Sequence, residues 1–313
     1  MLENKKKNNN DQSESPLVLA WKRFIRHRLA QVSMIFLVIL VLSAVLAPFI
    51  THLLGISYDD TSAAAYLPSS SQHLLGTDKE GRDVLARLLY GGRVSLTVGL
   101  ISAVMSALIG TIVGALAGYY GGWIDNILMR FTDAMLSLPV LPLMIVLSAI
   151  QLDKLLPFLP PEMTKGGDAS IFKLIIIVVF FGWMTVARLV RGDALSLRER
   201  EFVLAAKAIG VSQKNIIFRH VVPNCIAPII VASTLAVGSI ILYEAVLSFL
   251  GLGIQPPTPS WGNMLFQAQE YMRQAPILAF YPGLLILITT VSFNFLGDGL
   301  RDAFDPRFVM GKK

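Results

Sequence analysis

Charge is scarce in this chain. Of 313 residues, 15% are Asp, Glu, Lys or Arg and 54% are hydrophobic, and the mean hydropathy is +0.61. A soluble domain carries roughly 25% charged residues. The shortfall argues against a soluble enzyme, a disordered chain and a nucleic-acid-binding tail. Cysteine is almost missing: Cys225 stands alone, which excludes an intramolecular disulfide and any cysteine-based metal cluster, and it reads as inert. His27, His52, His73 and His220 are too scattered to form a local ligand pair such as H-E-x-x-H. A G-x-x-x-x-G-K-[ST] phosphate loop is also missing, so the chain is not expected to hydrolyse ATP itself. No catalytic residue, metal site or directly bound cofactor is expected.

What the chain has in abundance is long charge-free runs. They are Leu29–Ile50, Val94–Tyr119, Ala134–Leu152, Leu174–Ala187, Val221–Tyr243 and Ala275–Gly297. Crossing the hydrocarbon core takes roughly 20 apolar residues. The shortest run, Leu174–Ala187, has 14 residues, but Lys173 and Arg188 flank it and can snorkel to the two interfaces. The fold class is therefore all-α, a polytopic membrane protein with six transmembrane helices. Trp123, Trp183 and Trp261 fall in or near interfacial zones, as an aromatic belt would place them.

The basic residues orient the bundle. Seven lie in residues 1–28 and seven more in 188–227, with Arg130 at the turn between spans two and three and Arg301, Arg307, Lys312 and Lys313 in the tail. The positive-inside rule puts this side, with both termini, in the cytoplasm. The net charge of +6 then faces anionic lipid headgroups and needs no nucleic acid. The stretch before the first run and the run itself both exceed signal-peptide proportions, so an uncleaved anchor is expected. Residues 1–15 read as disordered, and Trp21–Arg28 as a basic segment along the inner interface.

Outside the membrane, residues 51–92 begin irregularly. A short amphipathic helix is then expected along the outer interface, with Val84, Leu85, Leu88 and Leu89 at helical spacing and Asp83–Arg87 as an (i, i+4) pair. Asp78, Glu80 and Asp83 read either as solvated charges and caps or as catalytic carboxylates. Span two carries Gly99, Ala103 and Ala107, then Gly110, Gly114 and Gly118, two small-residue ridges for close packing within the bundle or against a partner. Three prolines and three glycines in GLGIQPPTPSWGNML speak against a regular seventh helix and for an outward loop.

The segment 191–227 is the most informative. It reads as two short helices and a tight turn: the first ends near Ala208 with Gly210 at C′, Ser212 caps the second, Val211 and Ile216 form a hydrophobic staple, and Pro223 stops the second helix. Such a hairpin is either a basic loop resting on headgroups or a docking element for a partner.

LAAKAIGVSQKNIIFRHVVP resembles the EAA loop of ATP-binding-cassette (ABC) importer permeases, with Ala205, Ala206, Gly210 and Pro223 at the family spacing. Leu204 stands where the family usually has Glu, and His220 where it usually has Ile. Glu201, one turn earlier, is a candidate substitute for the missing carboxylate. HLLGTDKEGRDVLARLLYGGRVSL, GYYGGWIDNILMRFTDAMLSLP, GLGIQPPTPSWGNML and FNFLGDGLRDAFDPR are similar to the dipeptide/oligopeptide/nickel permease branch, in its second, C-type subunit.

The resemblance, over roughly residues 20–308, implies a type I importer fold. Its expected parts are a tail at 1–28, a first span at 29–50, an extracytoplasmic segment at 51–92, a five-helix core at 93–300 and a tail at 301–313. It also implies partners: a homologous second permease, two ABC ATPase subunits that use ATP and Mg, an extracytoplasmic peptide-binding protein, and membrane lipid. Glu201, Leu204, Ala205, Ala206, Gly210, Ser212 and Pro223 would form the ATPase-coupling site, and displacement of the hairpin would tilt spans four and five.

Two intramembrane carboxylates are candidates for the substrate pathway. Glu244, in the outer third of span five, could bind a peptide amino terminus or hydrogen-bond a neighbouring helix. Asp133, near the inner end of span three, has Arg130 as an expected partner. An ion-coupled secondary transporter using these carboxylates is an alternative, though such proteins usually carry internal repeats. The same importer class with a nickel-chelate cargo is another, and an intramembrane enzyme would need a nucleophile–base pair that is not visible.

Overall fold

The computed structural model describes residues 16–151, 154 and 167–305. Residues 1–15, expected to be disordered, and the end of the tail with Arg307, Lys312 and Lys313 lie outside them. Among the described residues regular structure is helical. In chain order the helices are α1 (Pro16–Phe24), α2 (Arg28–Val45), α3 (Ala47–Leu54), α4 (Val84–Tyr120), α5 (Gly122–Ser137), α6 (Val140–Ala149), α7 (Gly167–Leu197), α8 (Glu201–Ala208), α9 (Gln213–Ile216), α10 (Ile226–Phe249), α11 (Trp261–Ala268) and α12 (Ile277–Phe304).

Five of the described helical segments are long and apolar enough to cross a membrane: α2, α4, α7, α12, and α9 through α10 taken together. The sixth expected crossing differs from its sequence reading. Ala134–Leu152 is not one straight helix: α5 and α6 meet at an angle of 83°. The break falls at Leu138, which is extended (φ −81°, ψ 143°), because the Pro139 ring disfavours helical geometry in the residue before it.

The interfacial helix expected before span two is also not separate. It is the opening of α4, whose 37 residues run about 55 Å at ~1.5 Å per residue, well beyond a hydrocarbon core of about 30 Å. Gly91 and Gly92 do not break it, because tertiary contacts occupy their missing side chains. A Cβ on Gly92 would lie 2.9 Å from the Trp261 ring, and one on Gly91 3.2 Å from Ser260. Trp261 is 0% exposed, with its indole N–H donating to Leu88 O at 3.1 Å. It is a core residue rather than a member of an interfacial belt.

Among the described residues the pairing of α4 with α7 is the most extensive. Its basis is the second ridge anticipated on span two. A Cβ on Gly110 would come 2.5 Å from Trp183 O, and one on Gly118 2.6 Å from Arg191 O; Gly114 faces the Ala187 carbonyl between them. The same four-residue step on both helices lets the backbones touch, and in lipid van der Waals packing of this kind drives association. The first ridge meets α10 instead, with Gly99 against Ile241.

α10 and α12 run antiparallel, with Gly297 against Leu235 and Gly238 beside Thr290. α2 joins them through Ala30 against Gly299, and α1 folds back so that Arg23 donates to Asp305 O at 3.0 Å. Both described chain ends, the α4–α5 turn and the hairpin built on α8 and α9 therefore share one end of the bundle.

The opposite end carries a compact cap. Asp83 caps α4, accepting from Ala86 N at 2.9 Å, and holds His73 at 2.9 Å. Its expected ion pair with Arg87 is absent among the described contacts, because Arg87 turns to Asp78 at 3.5 Å. Asp78 also binds Arg82 Nε at 2.8 Å. Arg82 and Arg87 both donate to Gln267 Oε1, at 3.1 and 3.0 Å. Asp78, Arg82, Asp83 and Arg87 are buried, so Asp78 and Asp83 are not the solvated charges expected, although Asp83 does cap a helix and Glu80 is exposed. The proline-rich outward segment likewise yields a short helix, α11, once its prolines are passed. Ser260 and Asn263 start it with a capping box.

Candidate functional site

The hairpin begins where α7 ends. α8 covers Glu201–Ala208, matching the expected end near Ala208. Gly210 has φ +80°, a left-handed conformation that costs other residues roughly 1–2 kcal/mol. Around it the Val211 N–H donates to Ala206 O and the Gly210 N–H to Lys207 O, both at 3.0 Å. This pair of bonds is a Schellman motif, and it closes the turn without a side chain.

Val211 and Ile216 join the same apolar cluster, as the staple requires. Ser212 occupies the N-cap position of α9, but its hydroxyl makes no capping bond; the backbone carries the turn instead. Pro223 does not stop the helix. After α9 the chain widens into a π turn over Ile217–Val221, tightens into a 3-10 turn over Val222–Cys225 and runs on into α10. Pro223 falls at the start of that tighter turn, where its missing N–H is not needed.

The hairpin has two faces. Val203, Ala206, Ile216, Ile217 and Val221 are buried against Ala115 and Tyr119 of α4 and Val186, Val190 and Ala194 of α7. Lys207 Nζ lies 5.0 Å from the centre of the Tyr119 ring. On the other face Glu201, Ala205, Gly210, Ser212 and Pro223 are exposed, Leu204 is 50% exposed and Ile209 81%. The EAA-like residues thus divide: Ala206 anchors the hairpin to the spans, while Leu204 and Ala205 point outward. Phe202 and Ile209 are also exposed and were not singled out from the sequence, while the exposed Phe218 lines an apolar cavity against α4. A period-3.6 count of α8 would have separated Val203 and Ala206 from Phe202 and Ile209.

The two carboxylates expected in the substrate pathway have different surroundings. Glu244 is 0% exposed. Ser95 of α4 and Ser248 of α10 each donate to it at 2.8 Å. Ser95 in turn accepts from Trp261 N at 3.3 Å, and Ser248 from Ile254 N at 3.1 Å. The carboxylate ties three segments together, and it is absent from the lining of the large apolar cavity of about 720 Å³ between α4, α10 and α12. Asp133 is not paired with Arg130. Arg188 of α7 takes it instead, at 3.0 Å through Nε and 2.5 Å through Nη2. Lys173 donates to Ser148 O at 2.7 Å, beside the last residue of α6.

Comparison with known proteins agrees with this geometry. Residues 110–310 match the family model described as "binding-protein-dependent transport system inner membrane component". Residues 15–68 match "N-terminal TM domain of oligopeptide transport permease C". The dipeptide transport system permease protein DppC of Alkalihalophilus pseudofirmus is 42% identical over 94% of this chain and 90% of its own length. The oligopeptide transport system permease protein OppC of Escherichia coli K12 is 42% identical over 92% and 90%, and the glutathione transport system permease protein GsiD of Shigella sonnei is 39% identical over 95% and 92%. The hairpin, the helical bundle and a family match across 110–310 converge: this chain belongs to the inner-membrane components of binding-protein-dependent transport systems, the multi-pass permease subunits of ABC importers.

Proposed function

We propose that the chain is one half of an ATP-driven importer of di- or oligopeptides, coupled to its motor through the hairpin at 200–220. One observation carries the reading. The hairpin is fixed to the C-terminal ends of α4 and α7 by a buried apolar face, while Leu204 and Ile209 stand exposed on the other. A protein that grips the exposed face moves the buried face, and with it the spans. Coupling of this kind needs a hairpin that favours different motor states in the two conformations.

The parts assigned to this mechanism are Glu201, Leu204, Ala205, Ala206, Gly210, Ser212 and Pro223 on the hairpin, two ABC ATPase subunits that bind ATP and Mg, a homologous second permease completing the pathway, and an extracytoplasmic binding protein that delivers cargo. Peptide cargo is supported by the chain's similarity to the dipeptide and oligopeptide permeases. The hairpin and both termini face the cytoplasm in this reading, as the basic residues around them suggest. Cysteine placed at Ile209 should crosslink to a nucleotide-hydrolysing subunit, with yield changing between ATP-bound and nucleotide-free states. No crosslink to any such subunit, with labelled peptide still imported, would sink the proposal.

A further inference from the structure

A second polar feature lies at the hairpin end of the bundle, between α5 and α7. It is a cavity of about 450 Å³ whose lining includes Asp125, Asn126, Arg130, Asp133, Arg188 and Arg191. Three guanidinium groups face two carboxylates, and both carboxylates are already engaged. Arg191 holds Asp125 through two bonds, at 2.5 and 2.6 Å, and Arg188 holds Asp133. Arg130 has neither a carboxylate nor a hydrogen-bond acceptor among the described contacts. The cavity therefore carries one uncompensated positive charge.

Its depth in the membrane follows from the sequence. The charge-free run of the third crossing begins at Ala134, directly after Asp133, and that of the fourth ends at Ala187, directly before Arg188. The Asp133–Arg188 pair thus marks the boundary where hydrocarbon gives way to headgroups, and α5, which meets α6 at 83° and pairs Asp125 and Asp133 with the closely spaced Arg191 and Arg188 of α7, runs along that boundary. Beside the polar stripe of Asn126, Arg130 and Asp133, the same helix carries an apolar stripe at four-residue steps. Trp123, Ile127 and Phe131 are 73%, 59% and 53% exposed.

From this juxtaposition we infer that the α5–α7 cavity is a binding site for the headgroup of an anionic phospholipid. Its phosphodiester meets Arg130 and the Asn126 amide, and its acyl chains cover Trp123, Ile127 and Phe131. Basic pockets between transmembrane helices at the cytoplasmic leaflet take such headgroups. A free anion would satisfy the polar stripe and leave the apolar one bare, whereas an amphiphile covers both. Arg188 and Arg191 are positioned for the phosphate by Asp133 and Asp125. The inference does not depend on the cargo.

The test uses the chain purified together with the subunits that accompany it, exchanged into matched-chain mixtures of phosphatidylglycerol and phosphatidylcholine. Lipid retained after mild delipidation is read by mass spectrometry. The wild-type preference for phosphatidylglycerol should fall about fivefold in Arg130→Gln, the factor that one arginine near the surface contributes toward an anionic lipid. Arg130→Lys should keep most of that preference. Among the described residues Arg130 has no ion-pair partner to lose, so folding is not at stake. An equal lipid ratio in wild type and Arg130→Gln overturns the inference. Displacement of the retained lipid by excess inorganic phosphate, or by a short peptide, also overturns it, the first pointing to a free-anion site and the second to a station on the cargo route.

Discussion

Ala206 and Val211 are joined across the hairpin by a backbone hydrogen bond of 3.0 Å, with the left-handed Gly210 between them. That bond aligns the buried Val203–Ala206 side of α8 with Ile216 of α9, so both arms of the hairpin rest on the same patch of α4 and α7. The turn sets the geometry a motor subunit would grip.

Gly210→Asp should leave membrane insertion intact and weaken coupling. A Cβ at Gly210 meets nothing within 4 Å, so the effect is conformational strain, roughly 1–2 kcal/mol, and not collision. Membrane fractionation should be unchanged while co-purification of ATPase activity and peptide uptake fall. Gly210→Val should be worse, since β-branched residues fit positive φ least.

Leu204→Glu should be tolerated by the fold. Leu204 is half exposed, and the change restores the acidic residue usual at this position of the EAA loop. Expression and thermal stability should match wild type within about 0.5 kcal/mol, as for most surface changes. Loss of assembly with the motor would show that the loop is aligned wrongly.

Gly114→Val should separate α4 from α7. Overpacking commonly costs about 1–3 kcal/mol, and here the obstacle is the Ala187 carbonyl, which cannot rotate away. Gly192→Ala is the control, because nothing lies within 4 Å of its added methyl. The melting temperature of the detergent-purified protein should drop for the first and hold for the second.

Glu244→Ala should destabilise the bundle more than Glu244→Gln. Alanine leaves the buried Ser95 and Ser248 hydroxyls without their acceptor, at about 1–3 kcal/mol for an unsatisfied buried group. Glutamine keeps one carbonyl acceptor. If Glu244 instead met the cargo, Glu244→Gln would abolish uptake with stability unchanged, so unfolding curves and uptake measured together decide between the two roles.

Asp78→Ala should loosen the outer cap far more than Glu80→Ala. Asp78 serves two buried arginines, and removing one partner of a buried pair costs about 3–5 kcal/mol. Glu80 is 44% exposed, and a pair of that kind is worth about 0–1 kcal/mol. Protease sensitivity of the 58–83 segment in right-side-out vesicles measures the difference.

The apolar runs, the small-residue ridge and the hairpin turn could be read from residue order alone. Each is a local property: hydrocarbon thickness sets the length of a run, a four-residue step sets a ridge, and Gly210 alone can take φ +80° cheaply. The choice of partner was another matter. Asp83 and Arg130 had plausible neighbours one helical turn away, yet Arg87 went to Asp78 and Asp133 went to Arg188, from another helix. Glycines 91 and 92 look like helix breakers until Trp261, some 170 positions later, fills the space they leave. Proline 139 bends the third crossing by 83°, although its run of residues is apolar enough to have been straight. Local sterics and transfer energies act within a few residues and are written into the chain; ion pairing, burial and bending depend on which distant surfaces meet, and that is settled only when the helices pack.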